Sequence, residues 1–266
     1  MVEVLARVRS CALFGIDAYF VEVEVDVGRG LPSFSTVGLP DAAVRESRER
    51  VLSAIRNSGL EVPPRRVVVN LAPADTRKEG AGFDLAVAVG LLTATGQLPG
   101  DRSEGIVFVG ELSLDGRLRP VRGVLSMALL ARDAGVRGMV VPAENGEESS
   151  VALGKKVLTA ITLSEVVGYL RGQVALSSTR VGAESASCPH ASARSDTAAP
   201  ASPDLSDVRG QYQARRALEV AAAGGHNLIM IGPPGSGKTM LARRAPSILP
   251  PLSTDEALET TRIHSS

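Results

Sequence analysis

Apolar and polar residues alternate along Val4-Leu-Ala-Arg-Val8 and again along Val21-Glu-Val-Glu-Val-Asp-Val27. A period of two predicts two strands, each with one wet face. Gly28-Arg-Gly30 turns the chain, and Leu31 to Val37 is a third extended piece. The period then changes. Pro40-Asp41 opens a helix running to Asn57, with Val44, Val51, Leu52 and Ile55 on one face, and Ser58-Gly59 stops it. Arg66 to Leu71 is a buried strand. Asp84 caps and starts an Ala/Leu/Val helix that ends near Gly96. Ile106 to Leu114 is a strand, followed by a hairpin turn at Asp115-Gly116. A helix from Val121 to Ala134, strands at Gly138 to Pro142 and Lys156 to Thr159 with a helix between them, and a closing helix from Ser164 to Leu170 complete the pattern. Residues 1–171 are thus expected to form one α/β unit.

Residues 172–203 are rich in Ser, Ala, Thr and Pro, with almost no large apolar residue after Leu176. Such a stretch buries too little surface to order itself and is expected to be a disordered linker. A second region follows over 204–266. Val208 to Ala223 predicts a helix stopped by Gly224-Gly225, and Asn227-Leu-Ile-Met-Ile231 predicts a short strand. Ser253 to His264 predicts a last helix, with Ser253 or Thr254 as N-cap and Leu258 and Ile263 on its buried side.

Between strand and helix lies Gly232-Pro233-Pro234-Gly235-Ser236-Gly237-Lys238-Thr239. It fits G-x-x-x-x-G-K-[ST], the loop that cradles nucleotide phosphates. Glycines let successive backbone N–H groups turn inward on phosphate oxygens, and the following helix adds its own free N–H groups. Lys238 would reach the β- and γ-phosphates and the Thr239 hydroxyl would ligate Mg²⁺, so ATP and Mg²⁺ are the expected cofactors. Hydrolysis also needs an acid at the end of a neighbouring strand to hold Mg²⁺. After Thr239 the acids are Asp255, Glu256 and Glu259, all in the last predicted helix. The chain therefore reads as an incomplete ATPase that binds nucleotide at best weakly, with no catalytic residue of its own.

Composition narrows the picture. Of 266 residues, Lys+Arg and Asp+Glu are equal at 29 each, so no global field attracts nucleic acid or an anionic membrane. Hydrophobic content of 44% supports a core, while 3% aromatics and no Trp make that core aliphatic. Cys11 and Cys188 form no framework, and Cys188-Pro-His190 has no partner pair to complete a metal site. The N-terminus lacks a signal-peptide apolar region, and the longest apolar run, around Leu85 to Leu92, is too short to span a bilayer. A cytoplasmic protein with no membrane partner is expected. Arg65-Arg66, Arg77-Lys78, Arg215-Arg216 and Arg243-Arg244 could contact DNA phosphates, but zero net charge and no aromatic interleaving for base stacking favour a solvated or ion-paired face. Asp75, Glu79 and Asp84 crowd one stretch but lack a partner His or nucleophile. His226 suits a turn between helix and strand.

Several phrases carry a resemblance. Gly38-Leu-Pro-Asp-Ala-Ala-Val-Arg-Glu-Ser47, Asn70-Leu-Ala-Pro-Ala-Asp75, Arg77-Lys-Glu-Gly-Ala81 and Gly110-Glu-Leu-Ser-Leu-Asp-Gly116 are four of them. Val141-Pro-Ala-Glu-Asn145, Asp207-Val-Arg-Gly-Gln211 and Gly224-Gly-His-Asn-Leu228 are the others. Together they resemble the magnesium-chelatase-like AAA+ proteins of the ComM/YifB type, over nearly all the chain except the linker. The resemblance implies a Lon-protease-like α+β domain followed by the start of a P-loop AAA+ α/β module. It implies an ATP-driven DNA helicase that assembles as a homo-oligomeric, hexameric ring and promotes branch migration during natural transformation. The chelatase role is implied by name more than by function. Lon-type proteolysis would need a Ser and a Lys where this sequence, aligned by eye, has Gly82 and Leu125, neither able to act as nucleophile or base. Set beside the family, the chain is expected to be truncated after the Walker A region. A second reading stays open: an interaction or oligomerisation platform built on the inactive Lon-like domain.

Overall fold

The computed structural model describes residues 5–178 and 203–265. The linker expected over 172–203 and the Cys188-Pro-His190 stretch fall largely or wholly outside them. The chain divides into two compact units, one holding residues 1–185 and 261–266, the other residues 186–260.

In the first unit β1 (Ala6–Phe14), β2 (Asp17–Gly28) and β3 (Ser33–Val37) precede α1 (Ala42–Asn57), β4 (Arg66–Ala72) and α2 (Asp84–Ala94). A one-turn α3 (Gly100–Ser103), β5 (Ile106–Phe108), β6 (Glu111–Leu112) and β7 (Leu118–Arg119) follow. The unit continues through α4 (Val124–Asp133), β8 (Gly138–Pro142), α5 (Gly146–Leu153), β9 (Val157–Ala160) and α6 (Leu163–Leu170). Seven strands form one sheet in the order β3-β4-β2-β1-β5-β8-β9, while β6 and β7 make a separate two-stranded ribbon. The pairs β1/β2 and β2/β4 are antiparallel, in register at Val8 with Val23 and Val25 with Val69. The four remaining pairs are parallel.

The period-two alternation of β2 fixes which face is buried: Val21, Val23, Val25 and Val27 point inward. Against them packs α2, whose residues from Leu85 to Leu92 are all buried, so this helix has no wet face. Amphipathic α1 covers it with Val44, Val51, Leu52 and Ile55. Asp41 caps α1, its carboxylate accepting the Val44 N–H at 2.7 Å, and Ser58 closes the other end.

Three local expectations are corrected. Asp84 does not cap α2: Phe83 holds the N-cap position, with no side-chain cap bond, and Asp84 is drawn to α1 instead. The strand expected over Ile106 to Leu114 breaks after Phe108, because Glu111 and Leu112 leave the sheet to pair with β7. The stretch read as linker contributes to the fold through its first residues. Leu176 packs against the core, and the Ser177 carbonyl accepts the Thr159 N–H at 2.9 Å along the outer side of β9.

The second unit contains α7 (Tyr212–Gly224), α8 (Lys238–Arg244) and most of α9 (Thr254–Ser265). Leu205, Val208, Leu218 and Leu241 form a small core, with Met230 and Ile248 against it. Ser253 and Glu256 reciprocate at the start of α9: the carboxylate accepts the Ser253 N–H and hydroxyl, and the hydroxyl accepts the Glu256 N–H. These bonds hold the Glu256 carboxyl below its usual pKa, the backbone N–H first. Leu258 is half-buried, but Ile263 is exposed, against expectation. No helix among the described residues is long and apolar enough to cross a membrane.

Candidate functional site: the glycine-rich loop and its lysine

Gly225 ends α7 in a left-handed conformation, and the His226 N–H bonds the Ala221 carbonyl at 2.9 Å. His226 is thus the turn residue its position suggested. Asn227 to Ile231 then runs without strand pairing. A strand is defined by a neighbour that accepts its N–H groups, and no described segment lies alongside. Ile229 is 82% exposed and Ile231 89%, so the apolar run predicted as a strand stands uncovered, with only Met230 turned to the core.

Gly232 to Gly235 are exposed, Ser236, Gly237 and Lys238 half-buried, and Thr239 exposed. Gly235 (φ +79°) and Gly237 (φ +83°) take backbone angles that side chains disfavour, and they curl the loop onto the start of α8. The Lys238 ammonium folds back over the loop. It donates to the Gly232 carbonyl at 2.7 Å, the Pro233 carbonyl at 2.8 Å and the Ser236 hydroxyl at 3.1 Å. All three ammonium donors are used, so the lysine holds the loop in shape.

One neighbour was not singled out from the sequence. Gln211 sits just before α7 with φ +51°, one of two non-glycine residues among those described with positive φ, and its amide donates to the Ser236 carbonyl at 3.3 Å. The available signal was its place directly after Gly210 at a helix start. The arginine pairs of this unit are partly engaged: Arg215 donates to the Val208 carbonyl, Arg216 pairs with Glu219 at 3.0 Å and Arg244 donates to the Met240 carbonyl.

In the first unit the acidic trio separates. Asp75 and Glu79 are exposed beside Tyr19, whose hydroxyl donates to the Arg77 carbonyl at 3.3 Å. Burial raises the Tyr19 pKa, with Asp75 and Glu79 adding to the shift. Asp84 instead turns inward, fully buried, to Arg50. No group of three potential metal ligands occurs among the described residues. Lys78 is also fully buried, its ammonium donating to the Thr76 carbonyl at 2.7 Å, and burial lowers its pKa against the pull of Asp75. Gly82 lies near Val109 and Val121, and Leu125 is buried in α4. Cys11 is buried and its thiol is pushed up to about 12 by that burial, which makes it inert.

A family model described as subunit ChlI of Mg-chelatase matches residues 23–145, and a second, magnesium chelatase subunit ChlI, matches residues 204–266. The uncharacterized protein YifB of Salmonella typhimurium is 46% identical over 259 residues, covering 97% of this chain and 49% of YifB. The competence protein ComM of Haemophilus influenzae is 42% identical over 262 residues, covering 98% of this chain and 50% of ComM. The chain belongs to the magnesium-chelatase-like family of YifB and ComM.

This magnesium-chelatase-like chain spans about half the length of the curated relatives it matches. The chain is also 24% identical over 145 residues to Lon protease 2 of Bacillus subtilis, covering 52% of this chain and 26% of that protein. The mixed α/β sheet unit is accordingly Lon-protease-like in fold.

Proposed function

We propose that Gly232 to Thr239 is the ATP-binding loop of a magnesium-chelatase-like AAA+ protein that acts on branched DNA in recombination during natural transformation. In this reading residues 1–171 are a Lon-like domain without a Ser-Lys dyad, 172–203 a linker, and 204–266 the first part of the ATPase domain. The assembled protein is a homo-oligomeric ring. The observation that carries the reading is the grip of Lys238 on the carbonyls and hydroxyl of its own loop.

The donor set fits a polyphosphate. The Lys238 ammonium spans the loop, and phosphate oxygens can replace its present acceptors because they bind a cation more strongly than neutral carbonyls do. Open space beside Gly235 leaves room for a phosphate at the curled loop, where the Ser236 N–H now bonds the Pro233 carbonyl at 3.3 Å. Lys238 would hold the β- and γ-phosphates, and Thr239 would hold Mg²⁺. Mg²⁺ held there would supply positive charge to offset the negative charge of phosphoryl transfer. Gln211 keeps the Ser236 carbonyl in place through its amide. Hydrolysis by this chain alone is not expected: Glu256, an acid after Thr239, is engaged in the cap of α9.

The test is calorimetry of a non-hydrolysable ATP analogue with Mg²⁺ on this chain and on Lys238→Ala. Saturable binding is expected in the parent and at least about a hundredfold weaker binding in the variant, the loss of a charge-assisted contact to a polyphosphate. Binding that ignores the substitution would sink the assignment of the loop. For the DNA part, the full-length protein should move a branched DNA junction only with ATP. ATP hydrolysis without junction movement would leave the nucleotide assignment standing and remove the DNA reading.

A further inference from the structure

The two edges of the large sheet are treated differently. At β9 the chain covers its own edge, Ser177 accepting from Thr159. At β3 no described segment does so. Ser33 donates inward to the Arg65 carbonyl at 3.4 Å in a parallel ladder with β4. Alternation along such a ladder turns the N–H and C=O of Phe34 and Thr36 outward. Edge strands are normally blunted by lysine, proline or a bulge. Here Pro32 and Pro40 lie outside the strand, and Ser33 to Val37 carries none of these devices. Three large apolar side chains flank the edge in the open: Leu31 (87% exposed), Val37 (45%) and Leu39 (55%).

Beside this edge, between β3 and α1, lies a hollow of about 220 Å³. Phe34, Leu52 and Val67 give it an apolar lining, and Arg48, Arg56 and Arg65 also line it. All three arginines are exposed. Arg48 meets its neighbour Glu49 at 3.6 Å, while Arg56 and Arg65 make no ion pair among the described residues. Unpaired arginine charge around an apolar hollow is complementary to a carboxylate next to an aliphatic side chain.

We propose that the β3 edge is a docking site for an extended acidic peptide segment of a protein partner. The segment adds a strand outside β3, bonding the outward backbone groups of Phe34 and Thr36. One aliphatic side chain enters the hollow, and acidic side chains on the same face meet Arg56, Arg65 and Arg48. Backbone pairing supplies affinity in such a mode, and the hollow with its arginines supplies selectivity. This site lies wholly within the Lon-like unit and does not depend on the nucleotide reading.

The test is fluorescence polarisation on the full chain with a labelled peptide, Thr-Val-Thr-Glu-Thr-Val-Thr-Glu-Thr, which places Val and Glu on one face. Its counterpart carries Lys for Glu. The acidic peptide is expected to bind saturably. Arg56→Glu combined with Arg65→Glu is expected to weaken it at least about tenfold and to strengthen the lysine peptide, the signature of a charge swap. Both arginines are exposed, so the double variant should keep the parental melting curve. Thr36→Pro removes one outward N–H and should abolish binding with the arginines intact. Any of the following results would overturn the proposal. One is acidic-peptide binding unchanged by the charge reversal, or no saturable binding at all. Another is a single-stranded oligonucleotide that binds through the same arginines and displaces the peptide. The last is a dimer of the chain that dissociates in the charge-reversed variant, which would make a second copy the occupant.

Discussion

Asp84→Ala is expected to lower the unfolding free energy of the first unit by about 3–5 kcal/mol, the range for removing one partner of a buried ion pair. Asp84 is fully buried and accepts from Arg50 twice, Nε at 2.7 Å and Nη2 at 3.2 Å. It also accepts the Leu112 N–H at 3.2 Å. One carboxylate therefore ties α1, α2 and β6 together. Alanine would leave the Arg50 guanidinium, partly open to water, without its anion, and the buried Leu112 N–H without an acceptor. Chemical denaturation followed by far-UV circular dichroism measures the loss. A change below about 1 kcal/mol, the scale of an exposed pair, would show that the site relaxes and that the bridge is dispensable.

The same group gives a pH signature. Burial pushes the Asp84 carboxyl up to about 6, against the hydrogen bond and charge of Arg50 and the Leu112 N–H, with Glu111 adding to the rise. Arg50 is held more firmly protonated, chiefly by its hydrogen bond to Asp84. Asp84 is enclosed while Arg50 is partly open to water, so enclosure dominates at the carboxyl. Its folded pKa lies above the unfolded value near 3.8, so the native state binds the extra proton between about pH 4 and 6. This group's contribution to stability thus grows as pH falls through that window. Stability of the parent relative to Asp84→Asn should rise by about 1 kcal/mol per pH unit there, from the free-energy equivalent of a pKa unit. A pH-independent difference would place the carboxyl in its ordinary range.

Gly38→Ala is expected to destabilise the first unit by about 3 kcal/mol, summing an unfavourable left-handed backbone with a close steric contact. Gly38 has φ +96°, and a Cβ there would sit 2.2 Å from the Leu71 carbonyl oxygen. The obstacle is backbone at the end of β4, so no rotamer change relieves it. The loop after Gly38 also supplies the Leu39 carbonyl to the Lys78 N–H at 3.1 Å. A shift at Gly38 would therefore disturb the segment that buries Lys78, and Lys78 should become more accessible to amine-reactive reagents. Parental stability and unchanged Lys78 labelling in the variant would contradict the tight approach.

Much of the fold was legible because burial follows periodicity. The valines of β2 had to face one way, the stripe of α1 had to face the sheet, and a helix apolar on every side such as α2 had to be central. The loop from Gly232 to Thr239 was legible as a motif, since its glycine spacing is set by backbone angles that few other sequences satisfy. Local pattern failed where a residue's partner lies far along the chain. Asp84 has the type and position of an N-cap, but Arg50, 34 residues earlier, offers two charged donors, and a buried carboxylate takes the stronger set.

The sequence by itself determined most strands and helices of the first unit, the phosphate-loop motif and the family phrases, because each depends on residues close together in the chain. Tertiary structure decided the rest. It joined Asp84 to Arg50, left Asn227 to Ile231 unpaired and closed one sheet edge with Ser177 while leaving the other open beside Arg56 and Arg65. A strand's identity and an edge's exposure are properties of neighbours, and a neighbour brought in from a distance leaves no periodic trace in the segment it completes.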